Sequence, residues 1–131
     1  MRRFARRSDG LVTLEATLMI AILVPLLFAI LQFGAALERW LAQDAATVQV
    51  ARYAGEVGGD SAEVRQLLSD QLRLAGIDPT RAQVEIVPSR VRWREPIRVR
   101  VTTAHAIAIP FLFSTTVPLH SSAFARGEVN R

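Results

Sequence analysis

A long uncharged apolar run near the start of the sequence limits what the chain can fold into. It extends from Ala16 to Leu31. With its flanks, the segment from Leu11 to Leu37 contains one charged residue, Glu15, and exceeds the roughly 20 residues that a helix needs to cross a bilayer. The pattern therefore predicts a transmembrane helix over 11–37.

Charge is distributed unevenly around this segment. Four arginines lie within residues 1–10, whereas Arg39 is the basic residue that directly follows the apolar segment. The positive-inside rule then predicts a single-pass membrane protein, with 1–10 as a cytoplasmic basic leader and 38–131 as an extracytoplasmic domain. Much of the formal charge of +4 belongs to the leader, so the remaining chain is nearly neutral and nucleic acid is not an expected partner.

An ordinary secretory signal peptide is the alternative interpretation of the same segment. A basic start, an apolar core and the small residues Gly34-Ala35-Ala36 are typical of such a peptide. Cleavage there would release an exported soluble domain. Against this alternative, the apolar core is long, carries an acid at its start and continues into further helical pattern without a polar break.

The helical pattern continues past the apolar segment to the glycines between residues 55 and 59, which predicts one helix of about 45 residues. Its outer half is expected to be amphipathic and to cover a sheet. The apolar residues predicted to share its inner side are Leu37, Leu41, Val48 and Ala51.

A second, short helix is indicated by its end signals. Asp60 with Glu63 resembles a capping box, and Gly76 before Ile77 suits a C-terminal cap. The apolar stripe between them consists of Val64, Leu67, Leu68 and Leu72.

The remaining chain shows the two-residue alternation of strands over 82–86, 97–109 and, more weakly, 117–125. In the second of these, the odd-numbered residues from Ile97 to Ile109 are expected to face the core. A short apolar loop is predicted after Pro110. The sequence thus predicts an α+β fold in which two helices cover a three-stranded antiparallel meander.

A motif stands at the membrane boundary, Gly10-Leu11-Val12-Thr13-Leu14-Glu15, behind the arginine-rich leader. It resembles the type IV prepilin signal, which a membrane-embedded prepilin peptidase cuts after the glycine. The resemblance implies cleavage between Gly10 and Leu11, which makes Glu15 the fifth residue of the mature chain. A carboxylate at the head of a membrane helix is costly, and the new α-amino group of Leu11 would supply an opposite charge.

The continuation resembles the TadE-like proteins of the tight-adherence (Tad, Flp pilus) systems. The matching elements are Leu14-Glu15-Ala16, Pro25-Leu26-Leu27, Gly34 with Glu38, and the closing segment 123–128. The resemblance implies a pilin-like fold and a minor pilin or pseudopilin that is needed to assemble a pilus or secretion apparatus. It also implies a place in the bacterial inner membrane, with the C-terminal domain periplasmic or extracellular, and other pilin-like subunits and Tad assembly-platform proteins as partners.

The resemblance assigns roles to two residues of the apolar helix. Glu15 is expected to attract the N-terminus of a neighbouring subunit and so to set the axial register. Pro25 removes a backbone donor and is expected to loosen or kink the helix, a flexibility that would help subunits leave the bilayer.

A second class of function is suggested by arginines that alternate along one segment. In an extended chain these would share one face, unless Pro96 interrupts the strand. A solvated face is the simpler interpretation, but contact with lipid headgroups, polysaccharide or DNA would make the chain a membrane-anchored binding module. The residues are Arg90, Arg92, Arg94, Arg98 and Arg100.

The sequence predicts neither an enzyme nor a cofactor or metal site. The absence of cysteine excludes disulfides, thiolate zinc sites and thiol nucleophiles. The two histidines, His105 and His120, lack metal-ligand spacing, and His105 is expected to be a packed, hydrogen-bonded core residue. No phosphate-binding loop or pair of catalytic carboxylates is apparent.

Overall fold

The computed structural model describes residues 5–129. The elements in chain order are α1 (Ala5–Val57), α2 (Ala62–Leu74), a 3-10 turn (Pro79–Arg81), β1 (Gln83–Val87), β2 (Pro96–Ile109) and β3 (Phe113–Arg126). The strands form one antiparallel sheet in the order β1-β2-β3. The predicted α+β class is confirmed, with its long apolar N-terminal helix, short second helix and three-stranded antiparallel sheet.

The first half of α1 presents apolar side chains to its surroundings. From Leu11 to Phe33 its large apolar residues are exposed, with Val24 half-buried. The part Gly10–Val57 contains a stretch long and apolar enough to cross a membrane, a property of length and composition that a signal sequence shares. At 53 residues, α1 is longer than predicted because it begins at Ala5, within the basic leader.

The face of α1 that packs on the sheet differs from the one that the apolar spacing predicted. Leu37, Leu41 and Val48 are 44%, 54% and 37% exposed, so their predicted inner position is wrong. The buried residues of this half are mainly small or polar. They are Gln43, Ala46, Thr47, Val50, Ala51, Ala54 and Gly55.

Close approach of the helix and strand backbones explains this choice of residues. A Cβ atom added at Gly55 would lie 2.5 Å from the carbonyl oxygen of Arg126 in β3. Leucine side chains at the contact would hold the two backbones several ångströms farther apart. Small size, rather than hydrophobicity, therefore marks the buried face of α1.

A buried glutamine connects α1 to both long strands. The side-chain nitrogen Nε2 of Gln43 donates hydrogen bonds to the carbonyl oxygens of Val101 (3.0 Å) and Leu119 (3.1 Å). Its Oε1 accepts a hydrogen bond from the Thr103 hydroxyl. Thr47 donates to the main-chain carbonyl of Gln43 at 2.7 Å. Every polar atom of the Gln43 side chain is thus used to hold the helix on the hairpin.

The second helix is capped one residue later than predicted. Ser61, not Asp60, is the N-cap residue, and its hydroxyl accepts a hydrogen bond from the main-chain nitrogen of Val64 at 3.3 Å. Asp60 instead forms an ion pair with Arg65 at 2.6 Å. The predicted C-terminal cap is confirmed, since Gly76 adopts φ +70°.

The apolar stripe of α2 completes the core. Its residues Val64, Leu68 and Leu72 are buried as predicted, and Leu67 packs against them while partly buried. The cluster combines residues from both helices and from all three strands. Its other members include Val50, Ala51, Ala54, Ile86, Ile97, Val99, Val101 and Ala123.

Strands β2 and β3 form a long hairpin in which Ile109 pairs with Phe113. The alternation predicted for β2 is confirmed over its first part, where the odd-numbered residues from Ile97 to His105 are buried. The start predicted for β3, Val117, is wrong. Phe111 adopts φ +67° and closes a tight turn in place of the predicted loop, so pairing begins at once.

Removing the glutamine should loosen the whole domain. We expect Gln43→Leu to lower the free energy of unfolding by about 2–4 kcal/mol, because three hydrogen bonds are lost and buried groups of the strands are left without that partner. Gln49→Leu is the matched control, since Gln49 lies on the exposed side of the same helix. Urea unfolding of the full chain in detergent micelles measures both, and equal stability of the two variants would contradict the role given to Gln43.

Candidate functional site

The predicted processing site and the glutamate that follows it lie on one exposed stretch of α1. Gly10, Leu11 and Glu15 are helical and exposed, and a Cβ atom added at Gly10 would meet no atom within 4 Å. Among residues 10–129, Glu15 takes part in no ion pair. A carboxylate on an apolar helix surface of this kind is open to a partner from outside the chain.

The spacing of Leu11 and Glu15 has a geometric consequence. Residues four apart in a helix lie on the same side, separated by about one turn, roughly 6 Å along the axis. An α-amino group at Leu11 would therefore lie on the same side of the helix as the carboxylate of Glu15. After cleavage at Gly10, such an amino group would have Glu15 of its own chain within reach as a carboxylate partner.

Helix α1 continues through the proline of the predicted assembly segment. Pro25 lies inside α1 and is buried, unlike its neighbours Leu26 and Leu27. Because proline has no amide hydrogen, the carbonyl of Ala21 lacks its usual partner in the helix. The expected weak point is therefore a missing hydrogen bond within a continuous helix.

The arginines that the sequence placed on one face are divided by the turn before β2. Arg92 and Arg94 lie in this turn, and Arg94 adopts φ +65°. Arg98 and Arg100 lie on the outer face of β2, which begins at Pro96. The strand interruption considered at Pro96 is therefore present. The two arginines of the turn and the two arginines of β2 do not form one continuous face.

The two arginines on the strand have local neighbours. Arg100 approaches Glu85 of β1 at 3.6 Å. Arg98 is half-buried and is paired in register with Val87 on one side and Phe124 on the other. Both positions are compatible with a solvated sheet face in which long side chains cover apolar neighbours.

The histidines occupy different environments. His105 is buried as predicted, but the predicted hydrogen bond is absent, because neither of its ring nitrogens has a partner in the described part of the chain. Burial lowers the pKa of His105, and the nearby Arg39 lowers it further. His120 is exposed, and its Nδ1 lies 3.1 Å from the Thr102 hydroxyl. Across the described residues, no three metal-ligating side chains come together.

Comparison with known proteins returned no match to this chain among protein-family models, curated proteins or solved structures. The likeness to the TadE-like proteins therefore depends on the N-terminal motif, on the residues of the apolar helix and on the closing segment 123–128.

The sequence predicts a short apolar loop after Pro110 but not its exposure at the surface. The turn between β2 and β3 exposes three large apolar residues, Phe111, Leu112 and Phe113. A signal for it was present, because no Asp, Glu, Lys or Arg occurs between Val101 and Ala125. So long an uncharged segment is unusual outside a core or membrane contact.

The buried histidine makes the stability of the domain depend on pH. In the unfolded chain a histidine binds a proton near pH 6.5, whereas the lowered pKa of His105 disfavours the proton in the folded state. Below about pH 6.5 the unfolded chain therefore binds a proton that the folded chain does not. The contribution of His105 to stability is present above about pH 6.5 and is lost as the pH falls through the folded pKa.

We expect His105→Leu to reduce the loss of thermal stability between neutral and mildly acidic pH. His120→Gln is the control and should leave the acid-induced loss in place. Thermal unfolding followed by circular dichroism across that pH range provides the measurement. An unchanged pH profile in His105→Leu would show that other groups govern the acid response.

Proposed function

We propose that this chain is a minor pilin or pseudopilin similar to the TadE-like proteins. In this role it is needed to assemble a Tad/Flp-type pilus or secretion apparatus, and so for adherence, and it has no enzymatic activity. The supporting observation is the division of α1. Its first half presents apolar side chains and one carboxylate outward, while its second half carries the folded domain.

In this proposal the apolar half of α1 spans the inner membrane once. Residues 1–10 are the cytoplasmic leader that prepilin peptidase removes, and the domain from residue 38 lies outside the membrane. The excess of arginine before the span supports this orientation. Other pilin-like subunits and the Tad assembly platform are the partners.

The outer surface of α1 supports assembly through helix contacts. Leu37, Trp40 and Leu41 are exposed just beyond the apolar run, although a monomeric soluble domain would be expected to bury most such residues. They continue the exposed apolar surface of the span. A neighbouring subunit that packs along α1 would therefore meet one unbroken apolar surface from the membrane to the domain.

Assembly in this proposal depends on the attraction between Glu15 and an α-amino group at Leu11. Inside a bilayer this attraction is little screened, so the pairing is strong enough to select one register between neighbouring helices. Pairing within one chain is the resting arrangement, and exchange for a neighbour's amino group accompanies assembly. The opposite charges on the same helix side make both arrangements accessible.

Processing gives the first test of this proposal. Mass spectrometry of the protein purified from membranes should identify Leu11 as the mature N-terminus. Gly10→Leu should leave essentially only the full-length chain, because a bulky side chain at the scissile position obstructs the peptidase. The structure shows free space at Gly10, so this variant should fold normally.

The matched control for processing is Gly34→Leu, since Gly34 is also a helical glycine with free space around it. It should be processed like the wild-type chain. Detection of Met1 as the mature terminus would favour a permanently anchored module. A terminus near Ala36 would instead identify a secretory signal peptide and would contradict the proposal.

The carboxylate gives the second test. We expect Glu15→Val to insert in the membrane and to be processed, but to abolish pilus production or secretion, because the Leu11 amino group has lost its partner. Glu56→Val, on the exposed surface of the same helix beyond the membrane, is the control and should assemble normally. Normal pilus numbers in the Glu15→Val strain by electron microscopy would remove the register role.

A further inference from the structure

The β2–β3 hairpin runs along α1 towards its apolar half. Near the far end of α1, the main-chain nitrogen of Glu128 donates to the carbonyl of Gly55 at 2.9 Å. Closer to the span, the indole nitrogen of Trp40 donates to the carbonyl of His120 at 2.9 Å. Between these contacts the helix advances by about 22 Å and the extended chain by about 26 Å, so they are nearly parallel.

The same geometry locates the tip of the hairpin. From His120, β3 continues for seven residues to Phe113, a length of about 23 Å, which corresponds to about 15 helical residues. Counted back from Trp40, this distance ends near Pro25. Counting from the contact between Gln43 and Leu119 gives a position near Ile30. Extended in the same direction, the hairpin places its tip beside the apolar run of α1 rather than above it.

Burial along α1 agrees with this position. Within the predicted span, reduced exposure follows one helix side, with Pro25 and Ala36 buried and Ala29 and Gln32 half-buried. These residues are four, three and four positions apart, which keeps them on one side of the helix. Gln43, two turns beyond Ala36, lies on the same side and contacts both strands. The hairpin side of α1 thus extends into the segment that is expected to cross the membrane.

The chemistry of the tip suits lipid. Phe111, Leu112 and Phe113 are 93%, 64% and 53% exposed, and the hairpin carries no formal charge between Val101 and Ala125. Such an exposed apolar group is unfavourable in water. Acyl chains lie at the same level along α1, because about 20 residues from Leu11 already fill the hydrocarbon thickness and end near Leu31.

The backbone limits how deeply the tip can enter. Strand edges have unpaired main-chain groups, which are costly in hydrocarbon without water. The hydroxyls of Ser114, Thr115 and Thr116 follow directly and are exposed, as expected at the level of the headgroups. The favourable depth is therefore the boundary between headgroups and acyl chains, with only the turn embedded.

We propose that the hairpin tip, Ile109–Phe113, inserts into the outer leaflet of the bilayer that α1 crosses. The domain then has two membrane contacts, the span and the tip, which fix its rotation and tilt on the membrane surface. The inference rests on the membrane span of the proposed function. The occupant is lipid because the chain itself holds the tip at the depth of the acyl chains.

The test uses the natural absence of cysteine. Leu112→Cys is labelled with an environment-sensitive fluorophore, and the full chain is reconstituted in phosphatidylcholine vesicles that contain lipids spin-labelled at shallow or deep positions. Labelled in the same way, Thr116→Cys probes the hairpin at the expected level of the headgroups. Ser89→Cys probes the far end of the domain, and Ile22→Cys probes the span. All four positions are exposed, so labelling should leave the fold intact.

The Leu112 probe should be shifted to the blue and quenched more strongly by shallow than by deep spin labels. Quenching should be weaker at Thr116 and absent at Ser89. A water-exposed Leu112 probe together with a quenched Ile22 probe would refute the hairpin insertion and leave the span in place. An unquenched Ile22 probe would refute the span itself. Shielding of Leu112 from water without lipid quenching would show that protein covers the tip, and would also refute the proposal.

Discussion

The amide of Gln43 lies between a helix and two strands, where each of its polar atoms needs a partner because an unpaired buried amide is costly. It finds these partners in Val101, Leu119 and Thr103, and so fixes α1 on the β2–β3 hairpin. The small residues that follow it along α1 permit the close approach. Together with the contacts at Trp40 and Gly55, this contact sets the direction in which the hairpin runs along α1.

The same contact determines which surfaces remain free. Since the sheet takes the small and polar side of α1, the larger apolar residues face outward, and the apolar surface of the span continues onto the domain. In the proposed orientation, this arrangement and the exposed hairpin turn leave apolar surface where the chain would border the membrane. The far end of the domain instead carries charged turns and the outer arginines of β2.

The sequence predicted those elements whose pattern has one physical cause. Alternation along β2 follows from burial of one sheet face, and the stripe of α2 follows from burial of one helix side. The inner side of α1 was missed because lipid and core select apolar residues alike, so hydrophobicity cannot distinguish them. The start of β3 was missed because the apolar turn at Phe111 shows no alternation. The partners of Gln43 were missed because they are main-chain atoms distant in sequence.

The continuity of α1 also has a mechanical consequence. Its 53 residues form a rod of about 80 Å that enters the domain without a linker. The hydrogen bond missing at Pro25 makes that level the place where the rod bends most easily. A pull or a twist applied to the domain is therefore transmitted along a stiff helix as far as Pro25. The segment that carries Glu15 is connected to it through the more flexible helical turn at Pro25.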